Sequence, residues 1–329
     1  MHSTPAQRLL LGLVVVLVVQ ALFVVSYVGA WHNPQPHNLS FGVSGQSTLA
    51  TAVGRQISLR EHSYADEAAA LRAIDHRAVY GALVSDDSGT KLLVAPAASN
   101  AAAASLTAAF TRAAAARGER LDVVQVHALA NGDRLGIVPF LVAMALVVGG
   151  YLSATITTTL AGAASGRRLA AALGAAAIAG ALVTDTVAGP LLGGLPAGHF
   201  VKLWGVFAFV MLAVAYAAAA LQRLLGVAGT LIVIVTFVIF GAPAAGGSLP
   251  RAFLPGFWAT IGPLLPPGAA TTLIRNTVYF GGTAIGEAIL VLGIYLLAGG
   301  AVLLRARRAP ALEEGAADLD AAGAAAAIV

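Results

Sequence analysis

Cysteine is absent from this chain, which excludes disulfides, zinc ribbons, thiolate nucleophiles and iron–sulfur ligation. Charge is nearly as scarce: Asp, Glu, Lys and Arg make up 10% of 329 residues, against about 25% in a soluble globular protein. So little polar surface cannot cover a chain of this size in water. Lysine occurs only at Lys91 and Lys202, neither within a Gly-Lys-Ser/Thr, so a phosphate-cradling P-loop is excluded. The seven histidines form no His-Glu-x-x-His, and no Gly-x-Ser-x-Gly elbow occurs. No catalytic, cofactor-binding or metal-binding residue stands out, and the chain reads as a protein other than an enzyme. Asn38-Leu39-Ser40 matches a glycosylation sequon, a tripeptide common by chance.

What is present in excess is apolar. Hydrophobic residues reach 58%, glycine 37 positions, and mean hydropathy +0.84. A helix needs about 20 mainly apolar residues to cross a hydrocarbon core of roughly 30 Å. Six segments qualify: Leu9 to Ala30, Leu135 to Leu160, Leu169 to Leu192, Phe200 to Leu221, Val227 to Ala244 and Ala284 to Leu304. The chain is therefore expected to be an all-α polytopic membrane protein with the bilayer as its main partner. The first apolar run exceeds the usual 7–15 residues of a signal-peptide h-region and reads as a span. The net charge of +4 suggests no nucleic acid, because the arginines lie at span ends. A cytoplasmic N-terminus puts Arg8, Arg167, Arg168, Arg223, Arg305, Arg307 and Arg308 inside, and Lys202, Arg251 and Arg275 outside. The positive-inside rule favours that orientation, in the plasma membrane. Heavy alanine and arginine use hints at a bacterial source.

Between the first two spans, residues 31–134 carry nine basic and nine acidic residues. This neutral, water-compatible segment has the size of a domain. Its pattern predicts strands over 38–43, 56–60, 79–85, 91–95 and 121–128, and helices over 47–53, 66–74 and 99–116. Asp86-Asp87-Ser88-Gly89 has hairpin-turn composition. The expected organisation is 1–30 with the first span, 31–134 as a small extracytoplasmic α/β domain, 135–309 as five spans, and 310–329 as an acidic, Ala-rich cytoplasmic tail without fixed structure.

Inside the apolar part, Asp185 is the one acid well within a span, about 25 Å along the helix from Arg168. It reads either as an interfacial carboxylate bonded by Thr184 and Thr186 or as part of a polar translocation path. Glu287 falls in the first turn of the sixth span, with Thr283 as N-cap, where the helix dipole favours an acid. Residues 240–282 hold a proline- and glycine-rich yet apolar run: Gly241, Pro243, Gly246, Gly247, Pro250, Pro255, Pro263 and Pro266 interrupt it. Irregular backbone at membrane depth survives only where protein or a water-filled cavity shields it. Short re-entrant or interfacial helices are expected there, with Phe253, Phe257 and Trp258 as headgroup anchors. Such a segment is either a gate or a rigid outer cap.

The order of elements and this segment resemble the YhgE/Pip-like membrane proteins, which belong with the type-2 ABC exporter permeases. The resemblance rests on Phe240-Gly241-Ala242-Pro243, Gly246-Gly247, Leu249-Pro250, Leu254-Pro255, Phe257-Trp258, Pro263-Leu264-Leu265-Pro266, Leu273-Ile274-Arg275 and Gly281-Gly282. Asn131-Gly132-Asp133-Arg134-Leu135-Gly136 adds a similar polar lead-in to the second span. It implies a permease subunit that moves an amphipathic compound, lipid or polymer outward, as a homodimer or heterodimer, with any ATPase on a separate subunit. Taken with the reading of the residues above, the candidates for a path or gate are Asp185, Gly241, Pro243, Gly246, Gly247, Pro250, Pro255, Phe257, Trp258, Pro263, Pro266 and Arg275. The link Ala161 to Arg168 is shorter than the coupling helix such permeases present to an ATPase. The alternative class is a scaffold or receptor whose domain binds an envelope, phage or secretion component.

Overall fold

The computed structural model describes residues 4–46, 48–87, 89–161, 165–196 and 198–305. The 310–329 tail and residues 162–164 of the link between the second and third spans lie outside the described residues. Among the described residues, six helical segments are long and apolar enough to cross a membrane: Gly12–Trp31, Val138–Leu160, Gly166–Leu191, Phe200–Leu225, Val227–Ala244 and Gly286–Arg305. They mark a multi-pass membrane protein. One precedes and five follow a small sheet domain.

The sheet holds β1 (Leu39–Ser44), β2 (Leu59–Tyr64), β3 (Gly81–Asp86), β4 (Gly89–Val94) and β5 (Asp122–Gln125), in the order β2-β1-β3-β4-β5. β1 pairs parallel with β2 and β3, β4 pairs parallel with β5, and β3 and β4 form the antiparallel hairpin expected from the Asp86–Gly89 turn. Side chains alternate between faces, as the pleat requires. Leu39, Phe41, Leu83, Leu92 and Val94 meet α2 (Thr48–Gly54) and α4 (Asn100–Arg117), while Ala82, Val84 and Leu93 meet α3 (Glu67–Asp75). Asp66 caps α3 by accepting from the Ala69 amide at 2.7 Å. The strand expected over 56–60 begins instead at Leu59, because the Gln56 and Ile57 amides close a turn onto Val53. Its sequence LREHSY is mostly exposed, and charge on an edge strand discourages pairing with other chains.

In the apolar part, α7 (Phe200–Leu225) is the central helix, flanked by α5 (Val138–Ala161), α6 (Gly166–Thr186) and α12 (Gly286–Arg305). Polar side chains bond between these helices. Gln222 donates to Thr155 at 2.8 Å and accepts from Thr158 at 3.0 Å, and the Tyr216 hydroxyl donates to the Ala170 carbonyl at 3.1 Å. By contrast α1 (Pro5–Trp31) leaves Leu13, Leu17 and Val25 exposed and touches the rest mainly through its C-terminal end.

The fifth span is not a uniform helix. α8 (Val227–Val233) passes into a π-helical stretch, Ile234–Phe240, and then α9 (Gly241–Ala244). The altered backbone offers carbonyls that α1 takes up: Ser26 donates to Ile239, Tyr27 to Val238 at 3.4 Å, and the Trp31 indole to Pro243 at 3.1 Å. Neighbouring side chains that occupy freed carbonyls are what make such breaks tolerable in an apolar medium. After α9 come a 3₁₀ turn at Arg251–Phe253, α10 (Gly256–Ile261), a second 3₁₀ turn at Gly262–Leu264, and α11 (Pro266–Tyr279).

These pieces stack because glycine stands where chains touch. A Cβ on Gly268 would run into the Gly262 carbonyl, and one on Gly262 into the Ala244 carbonyl. Gly268→Ala is therefore expected to cost about 1–3 kcal/mol as an overpacking change. Thermal unfolding in detergent should show a clear fall, with Gly256→Ala, which meets open space, as the unchanged control. Equal melting of the two variants would refute the close-stacking account.

Candidate functional site

Arg275 organises the region where the sheet domain meets the helices. It is 6% exposed on α11, a helix with nearly every residue buried. Its guanidinium donates to Gly136 at 2.9 Å, to Gly247 at 3.0 Å and to Ala97 at 3.4 Å. Those carbonyls belong to the lead-in to α5, to the glycine pair after α9, and to the loop before α4. Burial pulls the Arg275 pKa down to about 10; the Arg77 charge pushes the same way, while Asp133 opposes it. The group stays cationic at neutral pH.

Asp133 sits beneath it, 2% exposed. One carboxylate oxygen accepts from the Ile137 and Val138 amides at 2.8 and 3.0 Å, capping the start of α5, and the other accepts from the Tyr279 hydroxyl at 2.9 Å. Burial and this bond raise the Tyr279 pKa. Arg77, at the end of α3, lies 4.8 Å over the Phe280 ring and 5.6 Å from the Tyr80 ring, and donates to the Ala98 carbonyl at 3.3 Å. Its backbone is left-handed, φ 62°, as are His127 (φ 51°) and Ala284 (φ 50°). All three meet the end of α11: His127 packs on Phe280 at 4.6 Å and bonds Asp75, and Ala284 accepts from Asn276 at 3.0 Å. Non-glycine residues in that region store strain that the surroundings must hold in place.

Between these groups lies a cavity of about 250 Å³. Its polar lining includes Arg77, Arg251, Arg275, Asn276, Thr271 and Glu287. Of the residues picked out by sequence, Gly247, Pro250, Pro263 and Arg275 reach it. Gly241, Pro243, Gly246, Pro255 and Pro266 shape the surrounding backbone, and Phe257 and Trp258 lie on α10; none of these seven lines it.

Several expectations are corrected. Phe253 and Trp258 are not headgroup anchors. Phe253 enters the sheet-domain core, and Trp258, 6% exposed, stacks on Phe240 and meets Gly29 of α1; only Phe257 is open, at 57%. Thr283 does not cap the sixth span: its hydroxyl donates to the Asp75 carbonyl at 2.6 Å, tying α3 to the bundle, while Glu287 does sit in the first turn of α12. Asp185 is 1% exposed between α6 and α7, away from the cavity lining. Thr184 bonds the Gly180 carbonyl rather than this carboxylate, one oxygen of which has no partner.

Arg77, Tyr80, Asn276 and Tyr279 escaped the sequence reading, since nothing local distinguishes them. Asp133 had a signal: an acid shortly before a long apolar run is a helix-cap pattern. Comparisons with protein-family models, curated proteins and solved structures find no match.

Asp133→Ala removes a cap worth about 0.5–2 kcal/mol and leaves the Tyr279 hydroxyl unpaired, at about 1–3 kcal/mol. Its melting temperature should fall further than that of Tyr279→Phe, with Asp133→Asn between them. Equal losses for Asp133→Ala and Tyr279→Phe would show that the cap contributes nothing.

Proposed function

We propose that the chain is the membrane subunit of a type-2-ABC-like exporter. It moves an amphipathic compound, lipid or polymer outward across the plasma membrane, as one half of a dimer with its ATPase on another chain. Both termini are cytoplasmic and the sheet domain is outside. The observation that carries this reading is the broken helical segment from Ile234 to Tyr279, which walls a polar cavity where the sheet domain meets the spans. Supporting the orientation, Gly166, Leu303 and Arg223 lie together at the end of the bundle opposite the sheet domain, and Arg167, Arg168 and Arg305 flank them in sequence. Lys202, Arg251 and Arg275 belong to the other end.

A tethered receptor needs a domain that works apart from its anchor, whereas here Phe253 and Phe280 enter the domain's two cores and Arg275 bonds its loop. That favours coupled motion over simple anchoring.

Purification in mild detergent should recover a nucleotide-binding subunit in stoichiometric amount, identified by mass spectrometry. Recovery of the chain alone, or of envelope and secretion components, would overturn the exporter reading in favour of a scaffold. Replacing Pro250 and Pro263 together by alanine should reduce efflux of amphipathic dyes from cells while leaving membrane insertion intact. Unchanged efflux would make the segment a static cap.

A further inference from the structure

We infer that the junction cavity is a binding site for the phosphate-ester head group of an anionic amphiphile. Arg77, in the turn that follows α3, and Arg275, on α11, both line it, and so does Arg251. Among the described residues no carboxylate lies within ion-pair distance of any of the three; the ion pairs present join Lys91 to Glu67, Arg117 to Glu119 and His127 to Asp75. A guanidinium has five N–H donors. Arg77 commits one, to Ala98, and Arg251 one, to Ala259 at 2.7 Å, so donors remain for a ligand. Planar guanidiniums with free donors match phosphate oxygens in bidentate fashion.

The remaining groups define the ligand further. Asn276 is 2% exposed; its amide nitrogen is used by Ala284, and its buried Oδ1 has no partner. An acceptor beside cations suits a ligand that brings a hydroxyl as well as an anion. Two acids are near: Asp133 is engaged by the α5 amides and Tyr279, and Glu287, exposed at the start of α12, is among the described residues the one carboxylate in the lining beside three arginines, which leaves the lining cationic. Outside the lining, the segment that carries the lining residue Pro263 also exposes Phe257 and Leu264, at 57% and 55%. Those apolar surfaces suit acyl chains. The site goes beyond the transport reading; that its occupant is the exported compound rests on that reading.

The test uses the full chain in neutral detergent, by native mass spectrometry and thermal shift. Its probes are dioleoyl phosphatidylglycerol, dioleoyl phosphatidylcholine and glycerol 3-phosphate. Phosphatidylglycerol should be retained and raise the melting temperature, while phosphatidylcholine should not. Arg77→Gln should weaken retention at least tenfold, and Arg112→Gln, on the outer side of α4, should leave it unchanged. Should Arg77→Gln melt before ligand is added, Arg251→Gln, an exposed side chain, replaces it, with at least a threefold loss expected. Competition by glycerol 3-phosphate assigns the site to a free ester, and failure to compete assigns it to a lipid. Equal retention of the two lipids, wild-type binding by the arginine variants, or binding of no probe overturns the inference. Binding without efflux upholds the site and removes the exporter reading; efflux without binding does the reverse.

Discussion

The three carbonyl bonds of Arg275 are the contact on which the junction depends. Three stretches far apart in sequence, around Ala97, Gly136 and Gly247, converge on one guanidinium. A buried cation with no carboxylate in ion-pair contact is expensive unless its donors are matched. Here main-chain dipoles do the matching, so the cation can be kept only while all three stretches stay in place. Removing any one exposes the others to the cost of a poorly solvated charge, which makes the junction cooperative.

Around that charge, apolar packing fixes the angle between sheet domain and bundle. Phe253 packs with Leu39, Phe41 and Phe110 on one face of the sheet, and Phe280 with Ile74, Val84 and Leu93 on the other. The broken segment, with the Phe280 that follows its last helix, thus sends one aromatic to each side of the sheet. Prolines and glycines permit the course between them. The freed carbonyls of the π-helical stretch are occupied by Ser26 and Tyr27 of α1, so a helix that otherwise faces outward helps to complete the fifth span. Irregularity in one segment is supported by regular helix in another.

How much of this the sequence discloses depends on the range of the forces. The six apolar helices and most strands were legible, because span length and strand alternation are local properties. The β3–β4 hairpin was legible from the turn composition of Asp86-Asp87-Ser88-Gly89 between two apolar runs. The misplaced start of β2 came from a turn onto Val53 that apolar content does not reveal. Trp258, Phe253 and Thr283 were misread for one shared reason: each has a partner more than 200 residues away, or in a different domain, and a local pattern assigns such residues to the interface or to a cap. Arg275 was legible as a candidate, but its neighbours Arg77 and Asn276 were not, since only the fold brings them together.

α11 is the element on which gate or cap turns. Fourteen residues rise about 21 Å, too short to cross a bilayer, and the helix is buried with Thr271, Arg275, Asn276 and Thr277 among its inward groups. Moving it means releasing Arg275 from three carbonyls, each hydrogen bond to a charged group contributing about 1.5–3 kcal/mol. In a sealed apolar junction that would hold the segment shut. A cavity alters the balance, because an anion within it offers the same guanidinium other acceptors. Whatever anion binds beside Arg275 is then linked to the hold on the segment, and by reciprocity any force that loosens the segment changes the affinity for that anion.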